Sequence, residues 1–219
     1  MPKGFLAQEI DELKADLVEM GEYVVRSVNL SIESLRLLDP DMAEDVVTMD
    51  ENIDHQRIEI ERKCLRLIAT QQPVARDLRV IMATFSMATD LERIGDHAED
   101  IASIVIRHAD EPLLKPLIDI PRMTEVAMGM LRDALRSLVD ENDELAKKLC
   151  ERDAIVDGLY DQVFRELLVF MMADPKTIAR ATYLIMAAQA VERIADLATN
   201  IAERSLYITT GVYSELNAD

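Results

Sequence analysis

Apolar residues recur every three to four positions over six long stretches of the chain. Because one turn of an α-helix takes 3.6 residues, this repeat places the apolar side chains on one face of a helix. The first predicted helix carries its apolar face from Ile10 to Val28 and runs to about Leu38. A second helix is predicted from about Asp41 to Thr70, and a third begins at Pro73 and runs to about His108.

The same plan repeats in the second half of the chain. Three prolines, at 112, 116 and 121, predict a connection over residues 109–120, since proline breaks a helix interior. Further helices are predicted from Pro121 to about Asp140, over 141–172, and from Pro175 to about Ile208. The chain is therefore predicted to be all-α, with two tandem three-helix bundles related by internal duplication, in residues 1–110 and 120–219.

Composition agrees with helical bundles. Hydrophobic residues make up 49% of the 219 residues, but aromatic residues only 4%, and tryptophan is absent. Aliphatic side chains and methionine must therefore fill the core, which is typical of helix bundles. Six glycines and seven prolines are too few for the many turns of an all-β fold.

The formal net charge is −18, with an isoelectric point near 4.5. Such a surface repels phosphate backbones, which argues against nucleic-acid binding. It would attract cations or a basic protein partner, and simple solubility is the alternative explanation. Two cysteines, Cys64 and Cys150, lie in apolar helical patterns, so we expect buried free thiols in a reducing compartment. With neither a signal peptide nor a stretch long enough to span a membrane, the expected location is the cytoplasm.

A twelve-residue motif occurs twice with acids at four-residue spacing. Residues 91–102 read LERIGDHAEDIA and residues 191–202 read VERIADLATNIA, identical at seven of twelve positions. In both copies an apolar line meets a glutamate at its middle, and a carboxylate facing a core is destabilising unless it is paired or coordinated. Like charges four residues apart also repel each other along a helix. A bound cation is the simplest way to offset both effects.

The helix before each motif contributes further acids at the same spacing. Antiparallel packing would bring the two rows of each bundle face to face and offer four or five oxygen ligands. Carboxylate ligands favour cations such as Mg²⁺, Mn²⁺, iron or Ca²⁺, also as multinuclear clusters. The predicted metal ligands are Asp50, Asp54, Glu92, Asp96, Asp100, Asp153, Asp157, Glu192, Asp196 and Asn200.

Other interpretations of these acids stay open. Acids four residues apart are common on solvated helix faces, and a duplication can reflect descent without present use. Catalysis has little support, because no Walker, GxSxG, GxGxxG or Glu-x-x-His motif is present. His97 has no counterpart in the second copy and is expected to be a hydrogen-bonding or outer-shell residue. We therefore predict that the chain is not an enzyme, with no catalytic or organic-cofactor residues.

Several stretches together resemble the PhoU family of phosphate-uptake regulators. They are QQPVARDLR at 71–79, the two acidic motifs, ADP at 173–175 and YITTG at 207–211. The resemblance implies a cytoplasmic, all-helical negative regulator of phosphate uptake and of the phosphate-starvation response. It also implies iron, manganese, magnesium or zinc on the acidic rows, as divalent or trivalent ions of unknown identity.

The resemblance further implies partners. These are the ATPase subunit of a phosphate ABC transporter, a sensor histidine kinase and a second copy of the chain in a homodimer, with membrane association only through partners. Arg76, Asp77 and Arg79 have no equivalent triplet in the second repeat; they are a candidate docking patch, and a salt-bridged helix start is an equal alternative. In the second row Ala195, Leu197 and Asn200 replace Gly, His and Asp, which predicts weaker metal binding.

Two further hypotheses compete with the regulator. One is a carboxylate-lined bundle for metal storage or redox chemistry, which oxygen-dependent turnover would support. The other is a structural scaffold with unoccupied acids, which an unchanged melting temperature on addition of divalent cations would support.

Overall fold

The computed structural model describes residues 4–213 and residue 216. In these residues the chain is helical, without β-strands, and none of the helices has an apolar stretch long enough to cross a membrane. The helices are α1 (Phe5–Leu37), α2 (Pro40–Gln71), α3 (Ala75–His108), α4 (Asp119–Asp140), α5 (Asp143–Lys147), α6 (Leu149–Ala173) and α7 (Ile178–Thr210). A 3₁₀ turn at Pro175–Thr177 precedes α7.

The helices form two three-helix bundles that share one interface. The first bundle contains α1, α2 and α3, and the second contains α4, α6 and α7. Helix α3 packs on α7 and α1 packs on α4, so each bundle covers one face of the other. Arg79 near the start of α3 donates to the carbonyl oxygen of Ile208 near the end of α7, which shows that these two helices are antiparallel. The predicted all-α fold with two three-helix bundles is confirmed.

The helix ends follow from local chemistry. Helix α2 begins after Asp39, whose carboxylate accepts hydrogen bonds from the backbone N–H groups of Asp41 and Met42, and Pro40 occupies the first helical position. Helix α7 ends at Gly211, which has a φ of 74° and adopts the left-handed conformation that glycine tolerates. These residues fix where the long helices begin and end.

Four predicted helix boundaries are wrong. Helix α4 begins at Asp119, before the predicted start after Pro121. The predicted fifth helix is split, because Asn142 caps a separate short helix α5 and α6 begins only at Leu149. Pro73 does not open α3, which begins two residues later at Ala75. Pro175 opens a 3₁₀ turn rather than α7, since the Asp174 carboxylate caps that turn through the backbone N–H of Lys176. The tight turns that join the helices decide these positions, and apolar spacing does not report them.

The core-facing side of α3 differs from the apolar line that the sequence indicates. Ile81, Ala88 and Ala102 of the predicted line are fully buried, but Leu78 and Ile106 are exposed and Glu92 is only half-buried. The centre of the buried face lies near Leu91 and Ala98, about 100° around the helix from Glu92, which is one residue's rotation. Glu92 therefore lies at the edge of the α2–α3 contact and not in the centre of the core.

Cys64 is a free, fully buried thiol. Its Sγ atom lies 3.5 Å from the carbonyl oxygen of Ile81, and burial raises its pKa to about 12. This thiol stays protonated at neutral pH and takes part in packing. The side chain of Cys150 lies outside the described residues.

Candidate metal and partner site on two acidic grooves

Carboxylates from α2 and α3 meet along the outer edge of the first bundle. We call this edge the first groove and define it by Asp50, Asp54, Glu92, Asp96 and Glu99. The contact is close because Gly95 has no side chain. A Cβ atom at position 95 would lie 2.9 Å from Asp50 Oδ1 and 3.0 Å from a methyl carbon of Ile53. Asp50 therefore lies directly against α3.

Asp50 is the most perturbed carboxylate of the first groove. Loss of hydration is the main cause, followed by repulsion from Asp96, Glu99, Asp54 and Glu92, and together they raise its pKa to about 7. Its Oδ1 atom is buried and has no hydrogen-bond partner among the described residues. The pKa values of Glu92 and Asp96 are also raised, first by loss of hydration and then by neighbouring carboxylates. The groove therefore favours any proton or cation that reduces this repulsion.

One arginine partly neutralises the first groove. Arg57 on α2 donates to Glu61 at 2.8 Å, and its Nε atom lies 3.6 Å from Glu92 Oε1. Its charge lowers the pKa of Glu92, against the larger effect of lost hydration. The guanidinium thus already acts as a counter-ion within the first acidic row.

The second bundle has a corresponding edge between α6 and α7. We call it the second groove and define its acidic part by Asp157, Glu192 and Asp196. Loss of hydration followed by repulsion from Asp196 and Asp157 raises the pKa of Glu192, and the pKa of Asp196 is raised by lost hydration and by Asp157. When Asp157 is aligned with Asp54, Tyr160 stands in the place of Arg57. The second groove therefore lacks the first groove's internal counter-ion.

Asp153 is buried on α6, one turn before Asp157 and at the position aligned with Asp50. Two other predicted ligands do not reach the facing rows. The Asp100 side chain is exposed and lies 3.4 Å from Nδ1 of His97. Asn200 lines a cleft between α3 and α7, of about 340 Å³, together with Arg93, Arg193 and two members of the acidic rows, Asp96 and Asp196. Asp100 and Asn200 therefore point away from α2 and α6, because they are rotated about 80° from the glutamate of their own row.

The two acidic rows contain donor atoms that suit a cation, but the atoms do not form a complete coordination sphere. The donors are carboxylate oxygens, which suit hard and intermediate cations, and the buried Asp50 Oδ1 atom has no other partner. Within the described part of the chain, no three carboxylate, imidazole or thiol groups are gathered as around one metal ion. Metal binding would therefore need side-chain rotation within the existing backbone.

Two of the three predicted docking residues join the two halves of the chain. Arg76 forms a 2.5 Å ion pair with Glu141, which follows α4 and is also 3.4 Å from Lys14. Arg79 donates to the carbonyl oxygen of Ile208 on α7. Asp77 lies exposed in the first turn of α3. The geometry thus resembles the alternative of a salt-bridged helix start, while docking on this patch stays a prediction.

Sequence reasoning did not identify several residues that shape the site. Glu99 and Arg57 lie on the predicted helix faces, but only the packing of α2 on α3 shows that they face the acids. A second arginine anchor, Arg180 at the start of α7, donates to the carbonyl oxygen of Pro112 just after α3. A buried pair, Asp90 on α3 and Arg204 on α7, joins the bundles at 3.2 Å. The sequence did contain a signal for this pair, because Asp90 lies on the apolar face of α3 and Arg204 on that of α7.

Known proteins resemble this chain in sequence over both of its halves. The sequence profile of the PhoU domain matches the chain twice, at residues 17–105 and 120–205. The chain is 41% identical to the phosphate-specific transport system accessory protein PhoU homolog of Aquifex aeolicus, over 94% of this chain and 93% of the relative. It is 37% identical to the homolog of the same name from Clostridium acetobutylicum, over 99% of this chain and 100% of the relative.

Solved structures agree with these sequence matches. The crystal structure of PhoU from Pseudomonas aeruginosa superposes with a TM-score of 0.89 and 31% identity, covering 94% of this chain and 99% of that one. The phosphate transport system regulatory protein PhoU from Streptococcus pneumoniae gives a TM-score of 0.87 and 28% identity, covering 95% and 99%. The similarity therefore extends over both bundles.

Proposed function

This chain belongs to the PhoU family, and on that basis we propose that it is a cytoplasmic accessory protein that regulates a phosphate transport system. The observation that carries the proposal is the match of the PhoU domain to both halves of the chain, together with relatives of that name over its full length. Regulation is proposed to occur by protein contact, damping uptake and the starvation response when phosphate is plentiful.

The proposed partners are the ATPase subunit of a phosphate ABC transporter and a sensor histidine kinase. The relatives are named as accessory proteins of a phosphate-specific transport system, which supports association with transport machinery. A surface with a net charge of −18 favours partners that present basic patches. A second copy of the chain is a further proposed partner.

Reconstitution with purified components tests these contacts. The full chain is immobilised, the ATPase subunit and the cytoplasmic part of the kinase are added separately, and binding is measured by interferometry. We expect saturable binding of at least one of them, and a deletion strain should show starvation-response expression in high phosphate that the full chain restores. Binding of neither protein, with normal expression in the deletion strain, would contradict the proposal.

We also propose that the acidic rows bind divalent or trivalent cations. The support is chemical: carboxylates from two helices raise one another's pKa, and a cation would relieve that repulsion. Asp50, Asp54, Glu92 and Asp96 would hold a cation in the first groove, and Asp153, Asp157, Glu192 and Asp196 in the second. A bound cation would screen the facing charges and join α2 to α3, or α6 to α7.

The metal content of the purified protein distinguishes metal binding from unoccupied acids and from redox chemistry. The untagged protein is purified without chelator, and its metals are measured by inductively coupled plasma mass spectrometry beside Glu92→Ala/Glu192→Ala and the exposed control Asp100→Asn. Stoichiometric metal in wild type, lost in the double variant and kept in the control, is expected. Metal-free protein whose melting temperature ignores added Mn²⁺ or Mg²⁺ would contradict metal binding. Oxygen-dependent turnover of a loaded protein would instead favour a redox bundle.

A further inference from the structure

The second groove continues from its acids into an exposed apolar surface. Phe164 and Leu168 are each 38% exposed, Ile178 is 49% exposed and Met172 is 77% exposed. Phe164 and Leu168 follow Asp157 at helical spacing, so they lie on the same side of α6. Large exposed apolar side chains that adjoin one another are typical of an interaction surface.

The short connection between α6 and α7 makes this surface continuous. Asp174 and the 3₁₀ turn join the two helices, and the Thr177 hydroxyl donates to the carbonyl oxygen of Phe170 at 3.0 Å. The last turns of α6 therefore lie beside the first turns of α7, which place Ile178 next to the end of α6. Farther along α7, Ile185 is partly buried and Glu192 follows two turns later on the same side. The groove is thus apolar at one end and acidic at the other.

The first groove shows what the acidic end accommodates. There Arg57 lies between Glu61 and Glu92 and acts as their counter-ion. With Asp54 aligned on Asp157, Tyr160 replaces Arg57 and Phe164 replaces Glu61. The second groove therefore keeps the acceptor side of this ion pair and loses its cation, while it gains apolar surface. A basic side chain from another molecule would restore the missing charge.

The charge on the acidic end is only partly balanced by arginines. Arg193 lowers the pKa of both Glu192 and Asp196, and it lines a cleft with Asp196 and Arg93, but within residues 4–213 neither arginine lies within 4 Å of these carboxylates as an ion pair. Asp161 adds a fourth carboxylate beside Asp157 and raises its pKa further. An arginine or lysine that reaches this end would meet several carboxylates at once, which favours a basic ligand over an acidic one.

We propose that the second groove is the docking site for an amphipathic helix of a partner protein, with apolar residues against Phe164, Leu168 and Ile178 and an arginine or lysine against Glu192 and Asp196. The added helix would complete a four-helix arrangement with α6 and α7 and cover the exposed apolar side chains. This inference rests on the proposed accessory function and names the surface and the partner chemistry through which it acts. The partner's basic side chain would take the place of the cation proposed above for the same carboxylates.

Designed peptides test the groove without knowledge of the partner's sequence. Two synthetic amphipathic helices of about 18 residues carry leucines at i, i+3, i+4 and i+7 and arginines near one end or the other, because the docking direction is open. Their counterparts carry glutamate in place of arginine. Binding to the full chain is measured by fluorescence anisotropy with chelator present, so that metal cannot bridge the two. We expect one arginine peptide to bind about tenfold more tightly than its glutamate counterpart.

The duplication offers a matched control variant. Leu168→Glu places a charge in the second groove, and Leu65→Glu makes the same change at the aligned position of the first groove, where the leucine is also exposed. We expect Leu168→Glu to weaken the arginine peptide about tenfold or more, and Leu65→Glu to change affinity less than about twofold. Glu192→Gln/Asp196→Asn should remove the preference for arginine and reduce the dependence on salt.

The opposite results would overturn the proposal. Equal losses in the two leucine variants would place binding elsewhere, and equal binding of arginine and glutamate peptides would exclude charge recognition. Lack of binding by both arginine peptides to the wild type would exclude helix docking.

Binding of the full-length proposed partners separates this inference from the proposed function. If the transporter ATPase or the kinase binds wild type and Leu168→Glu equally, the accessory function stands and groove docking is wrong. If neither protein binds wild type while the arginine peptide recognises the second groove, the docking surface stands and the proposed partners are wrong. If Leu168→Glu loses binding of both the partner protein and the peptide while Leu65→Glu keeps both, the two proposals are supported together.

Discussion

Asp50 lies against the backbone of α3 because Gly95 has no side chain at the point of contact. The four-residue spacing of acids in the sequence indicated that Asp50 belongs to a row, and the structure places it opposite Glu92 and Asp96. Spacing alone does not predict the pKa of Asp50. That depends on lost hydration and on charges from a second helix, which raise its pKa to about 7. Arg57 and Glu99 escaped prediction for the same reason, since their effect arises across the helix contact.

Asp50→Asn should stabilise the chelator-treated protein at high pH. Asp50 has a pKa of about 7 in the folded state and about 4 when unfolded, so between these values the folded state binds more protons. Its contribution is therefore favourable at low pH and is lost as pH rises from about 4 to 7. Because the group is partly exposed, we expect a gain of about 1–2 kcal/mol at pH 8 and almost none at pH 4.

Urea denaturation at both pH values measures this difference. The exposed Asp100→Asn variant is the control, because it removes one negative charge from the first bundle outside the facing rows. A stability gain of Asp50→Asn that is equal at pH 4 and pH 8, or matched by Asp100→Asn, would show that net charge and not local burial is responsible.

At the scale of helices, the three- and four-residue apolar spacing was sufficient to predict six long helices. It did not predict the break near Asn142. There the Asn142 side chain accepts a hydrogen bond from the backbone N–H of Leu145 and starts a new helix, although the apolar spacing continues through the break. It also placed the inner face of α3 about one residue away from the observed one. Neighbouring helices decide how far each helix is rotated, and a single helix pattern does not contain that information.

Two glycines on different helices should respond to alanine in opposite directions. An added Cβ at Gly21 of α1 would lie 2.2 Å from a methyl carbon of Leu135 on α4, whereas Gly158 of α6 has no heavy atom within 4 Å of that position. Gly158→Ala should therefore raise the free energy of unfolding by about 0.5–1 kcal/mol through helix propensity. Gly21→Ala should lower it by about 1 kcal/mol, because overpacking exceeds the same gain.

Thermal and urea unfolding of both variants check this prediction. Stabilisation by Gly21→Ala equal to that by Gly158→Ala would mean that Leu135 moves aside freely and that α1 does not pack tightly on α4.

At the scale of the whole molecule, the two bundles are joined through α1–α4 and α3–α7. The α3–α7 contact contains the buried pair of Asp90 and Arg204, 3.2 Å apart, with Asp90 only 3% exposed. Burial raises the pKa of Asp90 to about 6, and Arg204 and Arg93 oppose that rise. The duplication predicted two similar bundles, but the pair occurs once because Ala190 and Ile104 stand at the aligned positions of the other repeat.

Arg204→Met should destabilise the protein strongly at pH 8, by about 3–5 kcal/mol, since it leaves the Asp90 carboxylate buried without its partner. The loss should be smaller at pH 5, because Asp90 then binds a proton and the buried charge disappears. Denaturant unfolding at the two pH values provides the measurement.

The double variant Asp90→Leu/Arg204→Met and the single variant Arg93→Met are the controls. The double variant should recover most of the lost stability, since it removes the buried Asp90 carboxylate together with its partner. Arg93 is exposed, so Arg93→Met should change stability by less than about 0.5 kcal/mol. Failure of the double variant to recover would show that Arg204 stabilises the contact by packing rather than by charge.

Helix content, the duplication and the existence of two acidic rows were determined by the sequence itself, because helical periodicity and repeated motifs are local properties of a chain. The tertiary structure alone decided which acids face each other and where Arg57 acts as a counter-ion. These features depend on the rotation and the antiparallel packing of α2 on α3 and of α6 on α7. Interactions between residues far apart in the chain set that packing, so no local pattern encodes it.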